Sequence, residues 1–203
     1  MPQKVLVPLA DGVEEMEAVI IMDTLRRGGL EVSSATPDDI SGSAQRTVSL
    51  SPVTGSRGVG LMPDVRWNEI THSDFDVIAI PGGLAGVTAL CASSRAAYAV
   101  RGLHHRGKIC AAVCAGPLVL QASGILKGRT ITCHPSVTRR ITQAQRIDKR
   151  IVVDGGIITS QGPGTALDFA LTIVACVAGP AKAETVAEEM IHLNPDYVTG
   201  PDS

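Results

Sequence analysis

The chain has 203 residues, 44% of them hydrophobic, and a formal net charge of −2. That length supports one well-covered core and calls for no second domain, while the scattered Lys and Arg exclude the basic footprint of a nucleic-acid binder or a membrane-surface protein. Aromatic residues amount to only 2%, so Ala, Val, Ile and Leu must fill the interior, a composition suited to a sheet covered by helices.

VLVPL (Val5–Leu9) predicts the first strand. It is too short for a signal-peptide core and breaks into Ala10-Asp11-Gly12 rather than a cleavage site. A helix over Glu14–Arg27 and a strand LEVSSA (Leu30–Ala35) follow. Ser41–Asp64 is irregular, rich in Ser, Gly, Thr and Pro. It suits either a hairpin (Thr47–Leu50 with Gly58–Met62 around Thr54-Gly55) or a partly mobile excursion. Beyond it come a strand FDVIAIP (Phe75–Pro81), a helix Ser94–Arg106, a strand KICAAV (Lys108–Val113) and a helix Pro117–Ala122. The strand IITSQ (Ile157–Gln161) and helices over Thr165–Ala178 and Ala181–His192 complete the pattern. Strands apolar on both faces, alternating with helices, predict a doubly wound α/β fold of flavodoxin-like character. The site of such a fold lies at the carboxyl ends of the strands. Residues 1–193 read as one domain and Asn194–Ser203 as a frayed tail.

No apolar stretch approaches the ~20 residues of a spanning helix. Five cysteines form an odd, irregularly spaced set, which argues against a disulfide framework and for a reducing, cytoplasmic setting. Cys110, Cys114, Cys133 and His134 contain no C-x-x-C pair, so a metal is not expected.

The run Ala112-Val113-Cys114-Ala115-Gly116 carries the first chemical signal. A strand that turns sharply into a helix at a nucleophile needs small neighbours, the steric logic of the nucleophile elbow, and Pro117 suits the first turn of the helix. The helix N–H groups would then lower the thiol pKa. The alternative is that Cys114 is a small buried hydrophobe, as expected for Cys91, Cys110 and Cys176. The Ala-Gly-Pro that follows favours the nucleophile.

Glu14 and Glu15 fall in the first helical turn, where acidic groups complement the helix dipole and need no further role. Glu17 differs, because Val13, Ile20 and Ile21 are its neighbours at helical spacing and place it on the apolar face. Burial would raise its pKa, and a protonated Glu17 could donate to a thiolate or move a proton. The alternative is a helix-edge carboxylate bending to solvent. Gly82 and Gly83, at the end of a buried strand, could offer N–H groups to an oxyanion, or could simply form a turn. Gly162-Pro163-Gly164-Thr165 reads as a strand-to-helix turn capped by Thr165 rather than a phosphate loop. His134, fixed by Pro135, is either a base or orienting group, or a histidine with a purely structural place.

Five blocks, LADGVEEMEAV, MDTLRRGGLEV, VIAIPGG, AAVCAGP and TSQGPGTALDFAL, stand in order along almost the whole chain. In them the sequence resembles the ThiJ/PfpI superfamily, in its DJ-one/YajL branch. The resemblance implies a flavodoxin-like sandwich, a homodimer and no cofactor. It marks Cys114 as an oxidisable nucleophile, Glu17 as its protonated partner and His134 as a site histidine. Gly83 and Ala115 would be amide donors, and Arg27 and Arg57 would lie near the dimer interface at the pocket mouth. Ser43–Gly55 is longer than the usual family loop, and Met62 replaces an interface cysteine of some relatives. Ala115 stands where peptidase members carry histidine, so proteolysis is not expected. The activity implied is a cofactor-independent glyoxalase on methylglyoxal or glyoxal, or a deglycase on their protein adducts. The competing expectation is a redox-sensing, chaperone-like stress protein whose cysteine oxidises to sulfinate.

Overall fold

The computed structural model describes residues 2–40, 50–193 and 195–198. Its centre is a sheet of six strands: β1 (Lys4–Pro8), β2 (Glu31–Ala35), β5 (Val77–Ile80), β6 (Ile109–Val113), β9 (Ile151–Asp154) and β10 (Ile157–Ser160). They lie side by side in the order β2-β1-β5-β6-β10-β9. All pairs are parallel except β9 with β10. Counting only the parallel strands in chain order, the arrangement is 2-1-3-4-5, the flavodoxin-like order anticipated from the alternating pattern.

Side chains alternate across this sheet with the period of two that extended backbone imposes. Leu6, Ile78, Ile80, Cys110 and Ala112 face one apolar cluster. They pack there beneath α2 (Leu84–Ala92), α3 (Ser94–His105) and α4 (Pro117–Ala122). Val5, Val7, Val77, Ala79, Ala111, Val113 and Ile158 face the other. This second face is covered by α1 (Glu15–Arg27) and α5 (Ala166–Ala178), through Ala18, Ile21, Leu25, Phe169 and Ile173. Both sheet faces are therefore dry, which explains strands without a polar side.

The structure adds elements that the sequence pattern did not declare. The helix α2 has the sequence LAGVTALCA, with no polar stripe and no side-chain cap on Gly83, so its periodicity is silent. The strand β9 joins β10 through Gly155-Gly156, and their antiparallel register pairs Asp154 with Ile157. The Asp-Gly-Gly between two apolar runs is the hairpin signal that marks it.

The hairpin in the irregular region differs from expectation. Its arms are β3 (Val53–Thr54) and β4 (Gly60–Leu61), turning through Ser56–Gly58. Thr54 belongs to an arm, paired with Gly60, and its N–H donates to Asp11 Oδ1 while its carbonyl accepts from Gly12 N. Of the expected first arm, residues 47–49 lie outside the described residues. Short strands β7 (Thr130–Ile131) and β8 (Gln145–Arg146) pair in parallel beside β9, and α6 (Pro180–Glu189) packs on α5.

The described part of the C-terminal segment, Pro195–Val198, is docked rather than frayed. Asp168 of α5 is buried and accepts from Arg150, from His192 Nε2 at 2.7 Å and from Asp196 N at 3.0 Å. Val198 N donates to Thr172 Oγ1, and Tyr197 packs against the core. One buried carboxylate thus ties three segments of the chain together. No described helix is long and apolar enough to cross a membrane.

Candidate active site

Three strand ends converge beside Cys114. The β6 strand stops at Val113, and Cys114 adopts φ +62°, a left-handed conformation uncommon for a side chain other than glycine. Its geometry is held from both sides, because Cys114 N donates to Ser160 O at 3.0 Å and Cys114 O accepts from His134 N at 2.9 Å. A methyl group on Gly116 would stand 2.8 Å from both Ile80 O and Val113 O, so the bend tolerates only glycine there. Pro117 then opens α4, where a missing N–H costs nothing. The expected elbow is present, and the Cys114 side chain is only half-buried.

Glu17 comes to this point from α1. It has no solvent exposure, and its Oε2 accepts from Gly82 N at 2.6 Å. Gly82 is the contact between the two groups. A Cβ there would lie 2.6 Å from Glu17 Oε2 and 2.9 Å from Cys114 Sγ. Glu17 Oε1 is buried without a hydrogen bond of standard geometry, and the thiol is the side chain that interacts with this carboxyl.

Burial pushes the Glu17 carboxyl up to about 7; the negative charge of Glu14 adds to this, while the Gly82 amide and the thiol oppose it. Burial also pushes the Cys114 thiol up to about 12, with the charge and hydrogen bond of Glu17 adding to it and the Ala115 and Gly83 amides opposing it. The expected lowering of the thiol by a helix N-terminus is therefore reversed. A six-residue helix and two amides do not offset desolvation plus a neighbouring carboxylate. The two groups titrate as a pair, losing one proton near neutrality and holding the second far above it. In the singly ionised pair the charge sits either on the carboxylate or on sulfur. In the second form Glu17 is a neutral donor and its repulsion is gone.

The amides at the site divide their work. Gly83 and Ala115 N–H groups act on the sulfur. Gly82, expected to join them as an oxyanion donor, has its N–H committed to Glu17. The structure thus corrects its role to that of holding the acid. Gly83 has φ +88°, and a Cβ there would lie 2.2 Å from Gly12 O. Only glycine permits this approach.

His134 is joined to Cys114 through its backbone, its N–H donating to Cys114 O. Its Nδ1 lies 2.7 Å from Ser136 Oγ and accepts from Ser136 N, which fixes the ring. The ring also neighbours Gly162, where a methyl group would meet His134 Cδ2 at 3.4 Å. The Gly162–Thr165 turn is closed by Thr165 Oγ1, which accepts from Gln161 N and Gly162 N. Thr165 therefore staples the turn instead of capping α5 by its side chain, and these amides are not available to a phosphate.

Arg27 and Arg57 are separated. Arg27 sits at the far end of α1, ten residues and about 15 Å along the axis from Glu17, paired with Asp23 at 2.8 Å. Within one chain this is away from the Cys114 pocket, because α1 runs back toward the amino ends of the strands. Arg57 stays at the site end, where its N–H donates to Glu15 Oε1 at 2.7 Å. Glu15 is the residue that sequence patterning missed. Its side chain is buried, not solvated, because the β3–β4 turn folds over it. Cys110 is sealed in the core and, like Cys91 and Cys176, has its thiol raised by burial.

A cleft of about 710 Å³ lies elsewhere, along β9 between Lys149, Arg150 and Val198. The strained cysteine and the buried acid lie apart from it, at the strand ends.

Comparison with known proteins identifies the family. The chain is 41% identical over 189 residues to Protein DJ-1alpha of Drosophila melanogaster, covering 92% of this chain and 82% of that protein. It is 36% identical over 188 residues to the glutathione-independent glyoxalase DJR-1.2 of Caenorhabditis elegans, covering 92% and 94%. The crystal structure of Drosophila melanogaster DJ-1beta superposes with a TM-score of 0.86 at 38% identity, covering 94% of this chain and 98% of that one. With the model of the DJ-1/PfpI family matching residues 3–176, the chain belongs to that family.

Proposed function

We propose that the protein is a cofactor-independent glyoxalase acting on small α-oxoaldehydes through Cys114. The observation that carries this reading is the contact of a strained, half-buried thiol with a buried acid whose pKa lies near 7. The name of the Caenorhabditis elegans relative supports it.

In the reactive form of the pair, Glu17 holds the proton and Cys114 the charge. The sulfur attacks the aldehyde carbon of methylglyoxal, and the carbonyl oxygen becomes an oxyanion beside the Gly83 and Ala115 amides. Protonation gives a hemithioacetal. Glu17, as carboxylate, removes the proton from the former aldehyde carbon and delivers it to the adjacent carbon, while the hemithioacetal hydroxyl proton passes to the former ketone oxygen, turning the adduct into a lactoyl thioester. Water cleaves the thioester, which releases lactate and returns the thiol. The net change is addition of one water, with no oxidant or reductant consumed. His134, its ring fixed by Ser136, is the group we assign to orienting that water.

The same chemistry would consume early methylglyoxal adducts on proteins, and free aldehyde is the simpler substrate. We also propose a cytoplasmic homodimer in which Arg27 and Arg57 approach the partner copy. The second reading, a redox sensor, draws on one feature: the Gly83 and Ala115 amides and a protonated Glu17 would also stabilise a sulfinate.

The test is incubation with methylglyoxal in the absence of glutathione, following lactate. Wild-type protein should form lactate and Cys114→Ala none. Equal lactate from both would remove Cys114 from the mechanism. Mild peroxide with intact-mass analysis separates the readings: a stable form heavier by two oxygen atoms that gains holdase activity supports the sensor.

A further inference from the structure

Glu15 carries more structure than a carboxylate in a first helical turn requires. It is 6% exposed, although it is charged. Its Oε1 accepts from Arg57 N at 2.7 Å and Val59 N at 3.5 Å, and its Oε2 accepts from Ser56 Oγ at 3.0 Å. Gly55 is packed against it so closely that a Cβ would stand 2.7 Å from the carboxyl carbon. Burial works to raise the Glu15 pKa, but the amides of Glu15, Arg57 and Val59 and the Ser56 hydroxyl outweigh it, leaving the carboxyl below its ordinary value. It is an ionised anchor.

What it anchors touches the reaction site. The turn it gathers is bonded edge to edge with the segment Gly12–Glu14: Gly12 N donates to Thr54 O, Ser56 N donates to Val13 O, both at 2.7 Å, and Val13 bridges Gly55. The opposite side of that segment presses on the β5 strand end. Gly12 O, Val13 C and Glu14 N would lie 2.2–2.6 Å from a Cβ on Gly83, and Glu14 N donates to Gly82 O at 3.0 Å. The layers run from the hairpin turn through Gly12–Glu14 and Gly82–Gly83 to Cys114.

We propose that Glu15 is a positioning residue: its carboxylate pins the Gly55–Val59 turn onto Gly12–Glu14, and that segment holds Gly83 with its N–H facing the Cys114 sulfur. Glu15 touches neither substrate nor sulfur. Without its charge the three donors of the turn keep at most one neutral acceptor oxygen, the segment gains freedom, and Gly83 can relax from its left-handed conformation. An amide aimed at a developing charge is worth far more than one free to wander.

The proposal rests on the thiol-based reading above, but its test does not need turnover. Glu15→Gln keeps the shape and removes the charge. Gly55→Ala keeps the charge and displaces the carboxylate, at a position whose φ is ordinary. Iodoacetamide labelling of Cys114 is followed from about pH 5 to 10 in each, with kcat and KM on methylglyoxal in parallel. Both variants should label about fivefold more slowly near neutral pH, because an amide donor to the thiolate form is lost, while the inflection, which belongs to the Glu17 carboxyl, stays in place. The kcat should fall about tenfold with KM within about twofold. If both variants label at the wild-type rate, whatever their melting temperatures, Glu15 is only a structural acceptor and the proposal fails. Should wild-type protein not turn over methylglyoxal at all, the glyoxalase reading fails, and the labelling profiles still decide the role of Glu15.

Discussion

Gly82 donates its N–H to Glu17 at 2.6 Å, so the strand end that faces Cys114 also holds the buried acid. This single bond explains why two adjacent glycines have different tasks. Gly82 fixes the Glu17 carboxyl, and Gly83 is left to face the sulfur. A substitution at either therefore reports on a different half of the site.

Glu17→Gln should separate catalysis from stability. Loss of the proton carrier should lower kcat about 100-fold, the usual scale for a general acid–base group. Stability should move the other way. The carboxyl goes from 4.5 to about 7 on folding, which makes its ionised form unfavourable by on the order of 3 kcal/mol. A raised pKa means the folded state binds the proton more tightly, so the wild type is favoured below pH 4.5 and loses stability as pH rises through about 7. Denaturation of both proteins from about pH 4 to 9 should show the variant gaining on the wild type across that window. A pH-independent difference would contradict the buried, neutral acid.

Gly83→Ala should be severe. It asks alanine to adopt φ +88° and places a methyl against Gly12 O. We expect a loss of about 2–3 kcal/mol in stability from the backbone conformation and overpacking together, with lactate formation reduced at least about 100-fold. Urea melts and lactate assays check both. Near-wild-type activity would show that the Gly83 amide does not serve the site.

His134→Ala should leave the Cys114 labelling profile unchanged, because burial, Glu17, Ala115 and Gly83 set the charge on that sulfur. The kcat should fall about tenfold through poorer water activation. A shifted labelling profile would mean that the imidazole acts on the thiol directly.

Much of this arrangement is legible in the sequence, for stated reasons. Strands with two dry faces announce themselves as unbroken apolar runs, and Glu17 stands out because apolar residues surround it at helical spacing. The Ala-Gly-Pro after Cys114 points to the bend. What escapes depends on contacts between distant segments. Glu15 looks like a solvated helix-terminal acid until a turn some forty residues later covers it. The α2 helix has no polar face to give it a period. The direction of the thiol shift is missed because a helix N-terminus can be read from a sequence, whereas the desolvation that overrides it cannot.

Asp168→Asn should loosen the C-terminal segment. The carboxylate is buried among Arg150, His192 and the Asp196 amide. Burial would raise its pKa, yet His192 and Arg150 hold it below the ordinary carboxylate value. A depressed pKa contributes stability above the unfolded value that is lost as pH falls through the folded one. The variant should cost on the order of 2 kcal/mol at neutral pH, shrinking in more acidic solution, with hydrogen exchange quickened at Asp196 and Val198. Unchanged exchange there would show that Asp168 does not tie down the segment.

The central claim is that Cys114 and Glu17 share one ionisation near neutrality. Iodoacetamide labelling of Cys114 in the wild type, followed from about pH 5 to 10 by intact mass, tests it most directly. The rate should rise through an inflection near 7, the carboxyl's value, and then level off while the pair keeps its second proton. A rate that climbs through the region about pH 8–9, as for a free thiol with pKa about 8.5, would contradict it.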